Sequence, residues 1–210
     1  LELKFLESMK FTFEIHGALS YVLNDDDVAD YSSILIFLFQ IARTKHVLDH
    51  LHHYSHTKFV HHKLLLLRAK LSHFVNTLQT YVVHRVVKTA WKNFKGNINK
   101  QTSISSLRNL HKYFLLTVKE NCLLTEKFTT LLHAIVGILN ISSKLSQYFI
   151  SEKRMKSVDV VELDSQFQGS MTLLLAIISK ILTQKKVSSL EDLALRLDFN
   201  GYYARNKFHN

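Results

Sequence analysis

The chain has 210 residues, long enough for one domain that buries about 70% of its unfolded surface, and it is 47% hydrophobic with 14 Phe, 8 Tyr, 5 Gly and no Pro. That composition excludes turn-rich β-sandwiches, collagen-like arrays and Pro-rich linkers. Lys and Arg number 27 against 17 Asp and Glu, a formal net charge of +10 that directs association toward something acidic, whether nucleic acid, an anionic membrane or an acidic protein.

Cys122 is the single cysteine, so no internal disulfide and no Cys-based zinc site can form. The opening LELKFLESMKFTFEIH is charged throughout and does not read as a secretory leader. The longest uncharged apolar runs, 31–42 and 128–143, fall short of the roughly 18 residues a spanning helix needs, and no membrane insertion is expected.

In chain order, the alternation Phe11-Thr12-Phe13-Glu14-Ile15 suits a short strand or an extended arm laid on the rest of the fold. Asn24-Asp25-Asp26-Asp27 supplies capping oxygens and negative charge for a helix start. The apolar row Val28, Tyr31, Ile34, Leu35, Leu38, Ile41, Ala42, Leu48 and Leu51, joined by the stem of Lys45, predicts a helix over 25–53. A break is expected near residues 55–57, where Ser and Thr can cap.

The central element is 64–94. Leu64, Leu67, Leu71, Phe74, Val75, Leu78, Val82, Val86, Ala90 and Phe94 recur at steps of three and four, which a strand cannot use. With no Gly or Pro inside, such a helix runs for about 45 Å. A second strip, Leu65, Leu66, Val83, Val87 and Trp91, widens the face expected to be buried and places the helix inside a bundle. Gly96-Asn97 is the expected C-cap, and Ser103 or Ser105 starts a helix over 104–121. Thr125-Glu126 begins another, to about Phe149. Residues 150–164 lose the apolar period and read as a variable connection, after which 163–183 regains it. Ser188 and Glu191 have capping-box spacing, and Gly201 ends the last helix. The fold expected is an all-α, elongated bundle of about six helices, with a short extended N-terminal arm.

Several stretches resemble a known family. Leu67-Arg68-x-x-Leu71-x-x-Phe74-Val75-x-x-Leu78-x-x-Tyr81 with Trp91 ten residues on, Lys45-His46-Val47 before it, His111-x-x-Phe114-Leu115 and Cys122-Leu123-Leu124-Thr125 after it, and Arg196-Leu197-Asp198-Phe199-Asn200-Gly201-Tyr202-Tyr203 near the end together resemble the second shared region of the gamma-tubulin complex components. The terminal RLDFNGYY resembles the component-two type. The resemblance implies that residues 1–210 are the C-terminal gamma-tubulin-binding domain of a longer protein acting at microtubule-organising centres and spindle poles, non-enzymatic, with gamma-tubulin and other complex components as partners. It also implies acidic residues and a Pro just before the Trp, where this chain has Arg85, Lys88 and Thr89.

Each candidate site has a plain alternative. His46, His50 and His53 stand at i, i+4 and i+7, a spacing that could hold zinc; lacking an H-E-x-x-H acid and any nearby Cys, they read as a His-rich edge, and no metal is expected. Cys122 reads as a small core residue without a base beside it, and His111 as a packing histidine. No glycine forms a phosphate cradle, so no cofactor is expected. Arg85, Lys88, Lys92, Lys95 and Lys100 form either a solvated helix end or a docking surface for an acidic partner. Arg196, Asn200, Tyr202 and Tyr203 either close the bundle base, with Phe199 inserted and Asp198 paired to Arg196, or contribute to an interface. Leu71, Phe74, Leu78, Tyr81 and Trp91 are the expected core. A basic helical nucleic-acid binder is the rival reading and rests on charge alone.

Overall fold

A computed structural model describes residues 8–55, 62–150, 157–184 and 188–205. The helices among them are α1 (Asp25–Ser55), α2 (His62–Thr80), α3 (Lys88–Ile98), α4 (Ile104–Asn121), α5 (Thr129–Ile150), α6 (Ser157–Gln184), α7 (Ser188–Leu197) and the four-residue α8 (Tyr202–Arg205). A π-helical segment, Tyr81–Val87, joins α2 to α3 without a break in helical backbone. Taken as one rod, α2 to α3 leaves a bundle of six substantial helices and no strand among the described residues.

Local chemistry sets the starts. Asn24 and Asp27 cap reciprocally, the Asn24 Oδ1 accepting from the Asp27 N–H at 2.9 Å and the Asp27 Oδ2 accepting from the Asn24 N–H at 3.0 Å, which satisfies two of α1's orphan donors. Ser103 and Ser106 repeat the device at α4. Residues 9–16 form no strand: the Phe11 N–H donates to Ser32 Oγ, and its ring stacks on Phe39 at 5.4 Å.

Four helices form the body. Inward rows of α1 (Ile34, Phe37, Ile41, Leu48), α2 (Leu67, Leu71, Phe74, Leu78), α5 (Leu131, Ile135, Ile138) and α6 (Leu163, Phe167, Leu174, Ile178) share one continuous core. Polar ties bind their edges: Lys45 Nζ donates to Gln79 Oε1 at 3.1 Å, Arg68 Nε donates to the Leu48 carbonyl at 3.0 Å, and Lys70 pairs with Asp164 at 2.7 Å. The α3–α4 hairpin extends the π segment, and α7 packs on α6, α2 and that segment.

Several expectations are corrected. Residues 157–164 are helical, because Val160, Leu163, Phe167, Met171, Leu174 and Ile178 keep steps of three and four beneath a charged outer face; residues 151–156 lie outside the described ones. Gly96 does not end α3, which continues to Ile98, a residue drawn onto the core. The second strip of the central helix is not buried: Leu65, Leu66 and Trp91 are exposed, and Val83 and Val87 are half-buried. The expected break at 55–57 lies partly outside the described residues, as do the side chains of His53 and Ser188.

Trp91, expected in the core beside Leu71, Phe74, Leu78 and Tyr81, is 52% exposed, whereas those four are buried. The π segment explains the difference. In an α-helix each step of four residues overshoots a full turn by about 40°, so Leu78, Val82, Val86, Ala90 and Phe94 would drift around the axis. Widening the turns, with the Lys88 N–H donating five residues back to the Val83 carbonyl, holds Val82, Val86 and Phe94 inward. Trp91, next to Ala90, then turns outward and keeps ring contacts with Phe94 and Phe114, at 5.6 and 6.1 Å. The Pro that the family resemblance implies before the Trp is absent, and its place holds this change of hydrogen-bond register.

Candidate functional site

The π segment is anchored from below. The Tyr81 hydroxyl donates to the Asn121 carbonyl at 3.0 Å, and Ser189 Oγ donates to Asn121 Oδ1 at 3.1 Å, tying α4's end and α7's start to the same place. Burial pushes the Tyr81 hydroxyl up to about 12 from the usual 10.0, partly offset by its contact with Ser189.

Above this anchor the basic candidates emerge. Arg85, Lys88, Lys92 and Lys95 are all exposed. Arg85 Nε faces Asp192 Oδ2 at 4.0 Å, and Arg196 Nε donates to the same oxygen at 3.1 Å. Lys88 Nζ donates to His84 Nδ1 at 3.2 Å. The fold thus gathers Arg85 and Arg196 around one carboxylate, with Lys88 beside them through His84, while Lys92 and Lys95 continue along α3 past Trp91. On the adjoining α4, Arg108, Lys112 and Tyr113 are also exposed.

The terminal signature is arranged differently from expectation. Phe199 does not close the base: the turn at 198–201, with Gly201 at φ +66°, carries its ring outward to 83% exposure, and Leu197 is buried instead. A left-handed backbone at Gly201 is what a residue without Cβ provides. Arg196 pairs with Asp192 and not Asp198, which accepts the Tyr203 N–H at 3.1 Å. Tyr203 is half-buried with its ring edge-on to Phe167 at 6.4 Å, while Tyr202 and Asn200 are exposed.

The remaining candidates sit inside the fold. Cys122 is buried, which pushes its thiol up to about 12 and removes it as a nucleophile near neutrality. His111 is buried, its Nε2 hydrogen-bonded with the Tyr31 hydroxyl at 2.9 Å and its Nδ1 4.0 Å from Asp27 Oδ2. Burial pulls its pKa below the ordinary 6.5, with Asp27 opposing. The His46 and His50 rings lie tilted against each other with centroids 4.0 Å apart, and the described residues contain no group of three or more His, Cys, Asp or Glu arranged to hold a metal ion.

One sequence signal for this face was missed by residue-by-residue reading. Residues 50–119 contain no Asp or Glu while holding 12 of the 27 Lys and Arg. Asp192, which organises the two arginines, reads in sequence only as part of a helix start; nothing local announces that it meets Arg85, 107 positions earlier.

The helical bundle thus holds a basic face with exposed aromatic rings outside its core. Residues 2–203 match the family described as Gamma tubulin complex component C-terminal, and the chain belongs to that family. It is 31% identical over 139 residues to gamma-tubulin complex component 5 of Macaca fascicularis, covering 65% of this chain and 19% of that protein. It is 22% identical over 218 residues to component 6 of Mus musculus, covering 94% and 12%, and 24% identical over 228 residues to spindle pole body component 98 of Dictyostelium discoideum, covering 93% and 28%. The chain therefore spans less than a third of the length of these relatives. They are of several component types and support the family without supporting the component-two assignment.

Proposed function

We propose that this chain is a non-enzymatic gamma-tubulin-binding domain, acting within a gamma-tubulin complex to position gamma-tubulin for microtubule nucleation at microtubule-organising centres and spindle poles. The observation that carries the reading is the exposed row Arg85, Lys88, Lys92 and Lys95, set in a carboxylate-free stretch and flanking an exposed Trp91. Long-range attraction along such a row guides an acidic protein into register, and an aromatic ring among the cations supplies contact area. The work is positional. Holding gamma-tubulin in a fixed orientation beside its neighbours meets beforehand part of the entropy lost when the first tubulins assemble. Other complex components are the second class of partner.

The test is charge reversal. Lys88→Glu combined with Lys92→Glu lowers gamma-tubulin affinity by about tenfold or more, equivalent to about 1.4 kcal/mol, with the melting temperature unchanged because both side chains are exposed. Unchanged affinity moves the interface off this row. A short DNA duplex measured in parallel separates protein docking from nucleic-acid binding.

A further inference from the structure

Two depressions meet along one side of α2 and the π segment. The larger, of about 430 Å³, lies between His73, Asn76 and Thr77 on α2 and Arg196 and Phe199 on the opposite wall. The smaller, of about 150 Å³, lies between His84, Arg85 and Thr89 on one side and Asp192 and Arg196 on the other. Thr80 and Arg196 line both, so the two form one trough with Phe199 at one end and the arginine pair at the other.

The charge in this trough is unbalanced. Its α2 and π wall comes from the stretch without Asp or Glu, and the facing wall brings Asp192, a single carboxylate shared by two guanidiniums. Each guanidinium carries five donors in a planar fork, and Asp192 engages the Nε side of both. The middle of the trough offers the amide of Asn76 and the hydroxyls of Thr77 and Thr80, groups that can hydrogen-bond an extended backbone.

We infer that this trough receives an extended acidic segment of the bound protein, one carboxylate joining Asp192 at Arg85 and Arg196 and one apolar side chain lying on Phe199. The identity of the bound protein as gamma-tubulin rests on the preceding reading; the acidic character of the segment rests on the trough. Arginine forks are suited to carboxylates because two parallel charge-assisted hydrogen bonds form at once.

The test uses fluorescence anisotropy with a labelled Glu-rich peptide containing one Phe, its Gln counterpart, and gamma-tubulin itself. The Glu peptide binds the unsubstituted chain and the Gln peptide does not. Arg85→Gln with Arg196→Gln weakens both the Glu peptide and gamma-tubulin by about tenfold or more, while Lys144→Gln with Lys180→Gln, the same charge change on exposed residues elsewhere, shifts neither by more than about twofold. Phe199→Ala weakens the peptide with Phe more than one with Ala in its place. If circular dichroism shows the double Gln variant unfolded, Arg85→Lys with Arg196→Lys replaces it, keeping charge and removing the fork, with the same loss expected. Equal binding of the two peptides, an equal loss in the Lys144 and Lys180 variant, or gamma-tubulin bound unchanged by the arginine variants overturns the inference. Should the peptide results hold while gamma-tubulin fails to bind the unsubstituted chain, the gamma-tubulin reading falls and the trough stands as an acidic-segment site.

Discussion

Phe74 and Cys122 show how burial translates into testable energetics. Phe74 is 1% exposed within the shared core of α1, α2, α5 and α6, so Phe74→Ala removes a ring and leaves a cavity costing about 3–5 kcal/mol. Urea denaturation should show that loss; a midpoint equal to that of the unsubstituted chain would contradict the placement. Titration adds a second prediction. Cys122, with an ordinary value of 9.0, and Tyr81 and Tyr203, ordinarily 10.0, are each held near 12 chiefly by burial. An acid whose folded pKa is raised favours folding below its unfolded pKa and loses that advantage above it. Stability should therefore fall from pH 9 upward. His111 has the opposite sense, its lowered pKa favouring the neutral form, so stability also declines as pH drops through about 6.5. Unfolding free energies flat from pH 5 to 11 would refute both.

The π segment is the element whose geometry determines the candidate site. It keeps Tyr81, Val82 and Val86 inward, turns Trp91 to the surface, and aims Arg85 at Asp192. Trp91 is the chain's single tryptophan, which makes its surroundings directly measurable. Among Lys88, Lys92 and Lys95 the local potential draws anions, so iodide should quench Trp91 fluorescence more strongly than caesium, with the gap closing at high salt. Equal quenching, or none, would mean that α3 is rotated relative to this description. In the α4–α5 connection Leu123 sits at φ +66° while 1% exposed. A left-handed non-glycine residue costs about 1–2 kcal/mol, offset here by burying the side chain, and its apolar sequence context gives no sign of the strain.

Across the whole molecule, charge is segregated. Residues 50–119 carry 12 Lys and Arg and no carboxylate, leaving 15 Lys and Arg against all 17 Asp and Glu in the remainder. Folding concentrates much of this excess on the π segment, α3 and α4. Association with an acidic partner should weaken steeply as salt rises, because the Debye length shrinks from about 10 Å at 0.1 M to about 3 Å at 1 M. The core, being apolar, should hold its melting temperature within a few degrees over the same range. Affinity independent of salt would remove electrostatic docking as the basis of binding.

The sequence by itself determined the all-α class, the inward row of α2, the caps at Asn24 and Ser103, and the family resemblance, because helical period and capping are set by residues within a turn or two of one another. On α1 the apolar period placed Ile34, Ile41, Leu48 and Leu51 inward as observed, but also Leu35 and Ala42, which are exposed, and it passed over Phe37, which is buried. It also exposed the basic row of α3. Only the tertiary structure decided that the central rod changes hydrogen-bond register, that Trp91 and Phe199 face solvent, that the charged start of α6 is helical, and that Arg85 and Arg196 converge on Asp192. Those outcomes depend on which distant side chains share a contact once the helices pack, and apolar spacing along the chain carries no record of that.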